Sequence, residues 1–335
     1  MSVPGLAPLV TQEVAGFGLT ATGSGSDGRS DVVLIEAARG SRSAALGLRT
    51  TEDVFVELGR VSRSDGDDPN ALARRVWRPD AVERALSVWA EEVRPLASSM
   101  TYRVVARVLH ERSFLRTELR RALTGTVGAD RPKWRVADPA QIELWMIEYR
   151  PGEFAAGLRL STARMRQHEG RQVERPGALR PTVAAAMVAL AGKPAGTLLD
   201  PCCGSGTILA EAVAQGWTVR GRDIDPSAVD VASANVPAAT VDLGDARTLD
   251  LPDETASACV SNLPFGRQFV VSGSPVGWLR AVLQELTRVT RPGGRVVLLT
   301  PKIPQSAIPE PLQVRDRYPI VLLGTPTAIW ALDRT

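Results

Sequence analysis

Cysteine is scarce in this chain of 335 residues: Cys202, Cys203 and Cys259 are the whole complement. An odd number cannot close a disulfide framework, so three reduced thiols are expected. Histidine is scarcer still, with only His110 and His168. No Cys/His spacing suits zinc, and no metal site is expected. There is no run of 18 or more apolar residues, which excludes a membrane-spanning helix. The N-terminus lacks a basic stretch followed by an apolar core, so no signal peptide is expected and a cytoplasmic protein follows. Lysine is nearly absent, and arginine carries almost all the positive charge.

What is present supports about two domains of the usual ~100–200 residues, with 44% apolar content to build their cores. A net charge of +3 says little about partners, but the distribution says more. Between residues 100 and 135 stand Arg103, Arg107, Arg112, Arg116, Arg120, Arg121, Arg131, Lys133 and Arg135, against Glu111, Glu118 and Asp130. A second basic stretch holds Arg159, Arg164, Arg166, Arg171, Arg175 and Arg180. Local basic clusters create phosphate affinity. Candidate RNA contacts are therefore Arg103, Arg107, Arg112, Arg116, Arg120, Arg121, Arg164 and Arg166. The competing explanation is a solvated helix face in an arginine-rich composition. Trp77, Trp89 and Trp134 are expected in the core rather than stacked on RNA, because large aromatics are mostly buried.

Residues 1–165 mix helices with paired strands, an α+β pattern. Expected helices cover Pro8–Val14, Ala44–Leu48, 80–92 and Phe114–Leu123. Expected strands cover Asp31–Glu36, Thr51–Leu58, Tyr102–Leu109 and Ile142–Ile147, the last turning at Pro151-Gly152 into Phe154–Leu160. A polar loop over Ser62–Pro69 separates two small subdomains, 1–70 and 71–165. Residues 166–180 form a linker.

From Pro181, a favoured first helical residue, strands and helices alternate regularly to the end of the chain. Expected strands are 197–200, 217–222, 239–243, 257–261 and 295–300. Expected helices are 181–191, 206–215, 226–235 and 276–289. The result is an α/β fold: a doubly wound, mostly parallel sheet over 181–335. Tyr318–Leu323 and Ala328–Leu332 are joined by too few residues for a crossover, so they form an antiparallel hairpin. By analogy, a parallel nucleotide-binding sheet ending in such a hairpin points to S-adenosylmethionine methyltransferases rather than dinucleotide oxidoreductases.

Gly204-Ser205-Gly206 follows the first of these strands and opens a helix, allowing a ligand close to the backbone. Leu209 stands where the dinucleotide fingerprint needs a small residue, and no Gly-Lys-Ser/Thr follows. Asp200, at the strand tip, is placed to accept from the ammonium of a methionine moiety. Asp223 ends the next strand, where an acid binds ribose hydroxyls. Asp225 precedes Pro226 and is expected to cap a helix. Asp245 follows the third strand and is placed to accept from an adenine amino group.

Asn262-Leu263-Pro264-Phe265 ends the fourth strand. The exocyclic nitrogen of a base is a poor nucleophile because its lone pair is delocalised into the ring. The Asn262 side-chain oxygen and the Leu263 carbonyl can accept its two hydrogens and aim the lone pair at a methyl group. Pro264 stiffens the turn and removes a competing donor. Phe265 offers a stacking surface for a base that has left its stack.

These motifs resemble the THUMP-domain RNA methyltransferases that modify guanine N2, mostly in tRNA. Leu179-Arg180-Pro181-Thr182-Val183-Ala184-Ala185-Ala186 resembles the family's helix before the catalytic sheet, which implies that Pro181 and Thr182 help close the cofactor site. Asp200-Pro201-Cys202-Cys203-Gly204-Ser205-Gly206-Thr207 resembles its first cofactor motif. The resemblance implies S-adenosylmethionine contacts at Asp200, Cys202, Gly204, Gly206 and Thr207. It extends them to Asp223 with Ile224, Asp245 with Ala246, and Asn262. Asn262-Leu263-Pro264-Phe265-Gly266 resembles its Asn/Asp-Pro-Pro-Tyr/Phe clamp, with Leu263 in place of the first proline; this favours guanine over adenine. The N-terminal half is similar in layout to a ferredoxin-like piece followed by a THUMP domain. In that family THUMP grips the acceptor end of tRNA.

The expected activity is methylation of guanosine N2 in tRNA, by a monomer using S-adenosylmethionine and no metal. Alternatives are guanine N2 in ribosomal RNA, adenine N6, protein glutamine, or a non-catalytic RNA-binding module.

Overall fold

The computed structural model describes the chain apart from residues 66, 110–112, 169–172, 174, 176 and 265–273. It divides into two units, Met1–Met165 and Arg166–Thr335.

In the first unit, α1 (Ala7–Gly16) precedes a two-stranded hairpin of β1 (Thr20–Ser26) and β2 (Asp31–Glu36), followed by α2 (Arg42–Leu46). A five-stranded sheet then forms from β3 (Phe55–Ser62), β4 (Thr101–Arg107), β5 (Arg135–Val136), β6 (Ile142–Arg150) and β7 (Glu153–Arg159). Its order is β3-β7-β6-β4-β5. The helices α3 (Pro69–Val76), α4 (Pro79–Glu92) and α5 (Arg116–Asp130) connect its strands. The expected boundary at residue 70 cuts across this sheet, because β3 pairs antiparallel with β7. The strand expected at 51–58 starts later, at Phe55. Glu13 accepts from the backbone of Arg49 and Thr50, and the Met1 carbonyl accepts from Glu52 and Asp53, so the preceding residues are committed to a turn.

Trp77 and Trp89 are buried as expected. Trp134 is half-buried and packs on Tyr102, with ring centroids 6.2 Å apart. Among the candidate RNA contacts, Arg103 and Arg107 are engaged within the unit. Arg103 pairs with Asp138 and Glu143, both at 2.9 Å. Arg107 pairs with Asp27 at 2.6 Å and lies over the Trp145 ring. Arg116, Arg120 and Arg121 lie exposed on α5. Arg112 lies outside the described residues, as do His110 and Glu111. Arg166 is exposed on α6 (Ala163–Gln167); Arg164, on the same short helix, has no described side chain.

The second unit is a seven-stranded sheet. Its elements in chain order are α7 (Pro181–Leu190), β8 (Thr197–Asp200), α8 (Thr207–Ala214), β9 (Thr218–Asp223), α9 (Pro226–Asn235), β10 (Thr240–Leu243), β11 (Ala256–Asn262), α10 (Pro275–Val289), β12 (Thr290–Leu299), β13 (Leu312–Leu322) and β14 (Thr325–Arg334). The order is β10-β9-β8-β11-β12-β14-β13. From β10 to β12 every neighbour is parallel, while β14 runs antiparallel to both β12 and β13. The chain builds outward from β8 through β9 to β10, then returns to the other side of β8 with β11. That reversal is the topological switch point at which a parallel sheet opens a crevice beyond its strand ends. Buried Leu198, Leu199, Val260, Val296, Val297 and Leu298 fill both sides of the central strands, as a sheet covered on two faces requires.

Candidate active site

The tips of four adjacent strands supply the site. Asp200 ends β8, Asp223 ends β9, Gly244-Asp245 follow β10, and Asn262 ends β11. They line one cavity of about 460 Å³. Cys202, Gly204, Thr207, Ile224, Ala246, Leu263 and Pro264 line it as well. Pro181, Thr182 and Gly206 do not. Pro181 and Thr182 are buried in the first turn of α7, and the Thr182 hydroxyl has no partner among the described residues. Gly206 has φ 80° and starts α8; a Cβ there would meet Val236 at 3.2 Å and Ala232 at 3.4 Å. Its need for glycine comes from backbone conformation and helix packing rather than from the cavity wall.

Asp200 is the most buried acid of the set, at 1% exposure. Its carboxylate accepts from the Ser261 hydroxyl at 2.7 Å and from the Cys202 amide at 3.1 Å. Burial pushes its pKa up to about 7; the two hydrogen bonds oppose that rise and nearby Asp223 adds to it. Burial, with Asp200 and Asp223 nearby, also drives the Cys202 and Cys203 thiols well up, so both stay protonated and unreactive.

Asp223 braces the glycine loop. It accepts from the Gly204 amide at 2.8 Å and from the Asp225 amide at 3.0 Å. Gly204 sits at φ 54°, and a Cβ there would project into open space. Asp225 caps α9 by accepting from the Ser227 amide at 2.9 Å, as expected from its place before Pro226. Asp245 is engaged by its neighbour: the Arg247 guanidinium donates to both carboxylate oxygens and holds the acid below its ordinary range. The tip of β10 thus presents an ion pair rather than the bare carboxylate expected from the sequence. Ile224, exposed at 68%, offers an apolar side chain on the same wall.

At the tip of β11 the Asn262 side-chain oxygen is shielded from solvent and has no hydrogen-bond partner among the described residues. Buried carbonyl oxygens are nearly always satisfied, which sets this one apart among the described residues. Leu263 is 2% exposed and belongs to the core beneath the site, and its amide donates to the Leu299 carbonyl at 3.2 Å. Its burial anchors the turn where a proline would stiffen it. Phe265 and Gly266, expected in the clamp, lie outside the described residues.

Sequence reasoning missed several participants. Ser261 bridges β11 to Asp200, and only the pairing of β11 with β8 reveals it. Asn235 donates to the Ser205 carbonyl at 2.9 Å and exchanges hydrogen bonds with both backbone groups of Val173. It thereby ties the segment before α7 to the glycine loop. Arg175, Leu179 and Trp278 line the cavity. Arg175 was visible only as one member of a basic stretch, and Trp278 stands within an ordinary amphipathic helix.

The segment 168–307 matches the family model of the RMKL-like methyltransferase domain, UPF0020. The matched segment is less than half of the chain. The chain is 38% identical over 131 residues to the U6 snRNA (guanine-N(2))-methyltransferase THUMPD2 of Bos taurus, a match covering 36% of this chain and 25% of that protein. It is 35% identical over 152 residues to the tRNA (guanine(10)-N2)-dimethyltransferase of Methanothermobacter thermautotrophicus, covering 43% of this chain and 45% of that one. The matches thus span less than half the length of either relative. The fold extends further: TrmN from Thermus thermophilus superposes with a TM-score of 0.80 at 24% identity, covering 100% of this chain and 98% of that chain. The likeness in fold therefore takes in the N-terminal unit as well as the second unit. Among the described residues no His, Cys, Asp and Glu side chains are grouped to hold a metal ion, and no helix is long and apolar enough to cross a membrane.

Proposed function

We propose that the chain methylates the exocyclic N2 of a guanosine in RNA, with tRNA as substrate and S-adenosylmethionine as methyl donor. The observation that carries this reading is the unpartnered Asn262 oxygen, set in the same cavity as Asp200, Gly204 and Asp223. The donor set fits the cofactor: a buried acid for its ammonium, an acid for ribose at the β9 tip, and apolar Ile224 beside the adenine. When bound, S-adenosylmethionine supplies an electrophilic methyl group on a sulfonium.

The chain's own residues do the rest. The Asn262 oxygen and the Leu263 carbonyl accept the two amino hydrogens, which orients the nitrogen lone pair along one direction. Pro264 contributes no N–H to compete for those acceptors. No histidine lines the cavity among the described residues. The amino proton acquires acidity only as the nitrogen becomes cationic, so solvent suffices to take it after transfer. Phe265, directly after the clamp, is proposed to stack on the base. The exposed face of α5, with Arg116, Arg120 and Arg121, and Arg166 on α6 are proposed RNA contacts, and the cytoplasm is the proposed compartment.

The test is transfer of labelled methyl from S-adenosylmethionine to unmodified tRNA, followed by nucleoside digestion and mass analysis. N2-methylguanosine is the expected product. Label in ribosomal RNA, in N6-methyladenine or in protein glutamine, with none in tRNA, would keep the clamp and reassign the substrate. Failure to bind the cofactor by calorimetry would leave a non-catalytic RNA-binding module.

A further inference from the structure

Arg175 stands apart from the other arginines of the second unit. It lines the strand-tip cavity, and its Nη2 donates to the Asp225 carboxylate at 2.5 Å. Its Nη1 is shielded from solvent and has no acceptor among the described residues. A desolvated guanidinium N–H without an acceptor is costly, and native structures leave few of them. The arginine is not loosely placed. Val173, two residues earlier, is pinned on both backbone groups by Asn235, which also holds the Ser205 carbonyl of the glycine loop. Asp225 fixes the guanidinium from the other side, and its own position is set by capping α9. Arg175 thus lines the cavity with a supported guanidinium that has one N–H without an acceptor among the described residues.

The cavity has a second arginine, Arg247, but its Nε and Nη2 are directed at Asp245. Resting on the reading that the donor is S-adenosylmethionine, we infer that Arg175 is the anion partner of this site and holds the carboxylate of the donor's amino-acid end through Nη1. That carboxylate is the cofactor's single anionic group. It is matched by the single described arginine of the wall that combines a buried, unpartnered N–H with a built support. Asp200 then takes the ammonium and Arg175 the carboxylate of one amino acid. Charge and hydrogen bonding at that end set affinity for the whole cofactor, while the nucleoside half is read elsewhere.

The experiment is calorimetric titration of the full chain with two ligands. S-adenosylhomocysteine carries the amino-acid end, and 5′-methylthioadenosine lacks it. R175Q is expected to weaken S-adenosylhomocysteine by ~10- to 100-fold, the loss of one charge-assisted hydrogen bond, and to leave 5′-methylthioadenosine unchanged. R175K, which keeps the charge, is expected to retain part of the lost affinity, and unchanged nucleoside binding certifies the fold of each variant. R175Q binding S-adenosylhomocysteine as the wild type does would overturn the inference. So would equal losses for the two ligands, which would place Arg175 on the nucleoside half or in the scaffold. A wild-type chain that binds neither ligand would instead overturn the reading of the donor on which the inference rests.

Discussion

A carboxyl group sealed at the end of a strand answers to pH differently from one in water, and Asp200 is such a group. With a folded pKa near 7 against an ordinary value of 3.8, the folded chain holds this proton more tightly than the unfolded chain does. The stabilisation is therefore full below the unfolded value and is lost as pH rises through about 7. Asp200→Asn should remove about 1 kcal/mol of the stability difference between pH 6 and pH 8, checked by urea unfolding at both. The same ionisation governs the ligand. Affinity for S-adenosylhomocysteine should rise as Asp200 ionises and fall again at higher pH as the ligand's own ammonium loses its proton. A flat profile from pH 6 to 9 would remove Asp200 as the ammonium partner. Ser261→Ala leaves a buried carboxylate short of a donor and should cost about 1–3 kcal/mol of stability. It should also shift the rising limb of that profile to higher pH, because the lost hydrogen bond is one that lowers the Asp200 pKa. Asn262→Ala should abolish methyl transfer while cofactor affinity stays within a few fold; retained turnover would sink the clamp. Asp200 and Asn262 were legible because each sits at a strand end that hydrophobic patterning locates, and Gly204 because its loop directly follows one. Ser261 and Arg175 were not, since their meaning lies in a neighbouring strand and in an unanswered hydrogen bond.

Among elements, the β13–β14 hairpin carries a testable strain. Its turn places Leu323 at φ 49° and Gly324 at φ 79°, the doubly positive pattern of a tight hairpin turn that favours Asn-Gly. Leu323 is 87% exposed and gains no packing there. Leu323→Asn should stabilise the chain by about 0.5–1 kcal/mol, seen as a higher urea midpoint at unchanged slope. The hairpin itself was legible from Gly324 between two apolar runs, and the parallel strands from their regular alternation with helices. The first unit hid more. β1, with the sequence Thr-Ala-Thr-Gly-Ser-Gly-Ser, has no apolar alternation and is a strand only through its pairing with β2. Gly25 within it would place a Cβ 2.1 Å from the Tyr149 carbonyl, so close approach, not propensity, selects its residues. α3 lay behind a stretch read as loop, although Asp68 caps it and Pro69 begins it. α5 runs on through Gly125 and Gly128, which sequence rules take as breakers.

For the whole molecule, the proposed labour is divided: the second unit binds the donor and the base, and the basic surface of the first unit holds the rest of the RNA. R120E/R121E should leave S-adenosylhomocysteine affinity unchanged, lower kcat/KM for tRNA at least tenfold, and flatten the dependence on salt, since each lost phosphate contact reduces the slope. Equal losses in cofactor binding would contradict that division. One feature of the sheet reaches beyond any single residue. β8 and β11 are immediate neighbours, so the strand that leads into the glycine loop and the strand that ends in Asn262 run side by side, about 4.8 Å apart. That span belongs to the backbone and not to side chains. The sequence after Pro264, and α10, can then be changed to suit a different base, or an amide, while the spacing of the two strands stays the same. The sheet works as a fixed gauge, and new substrates are a matter of changing what is brought up to it.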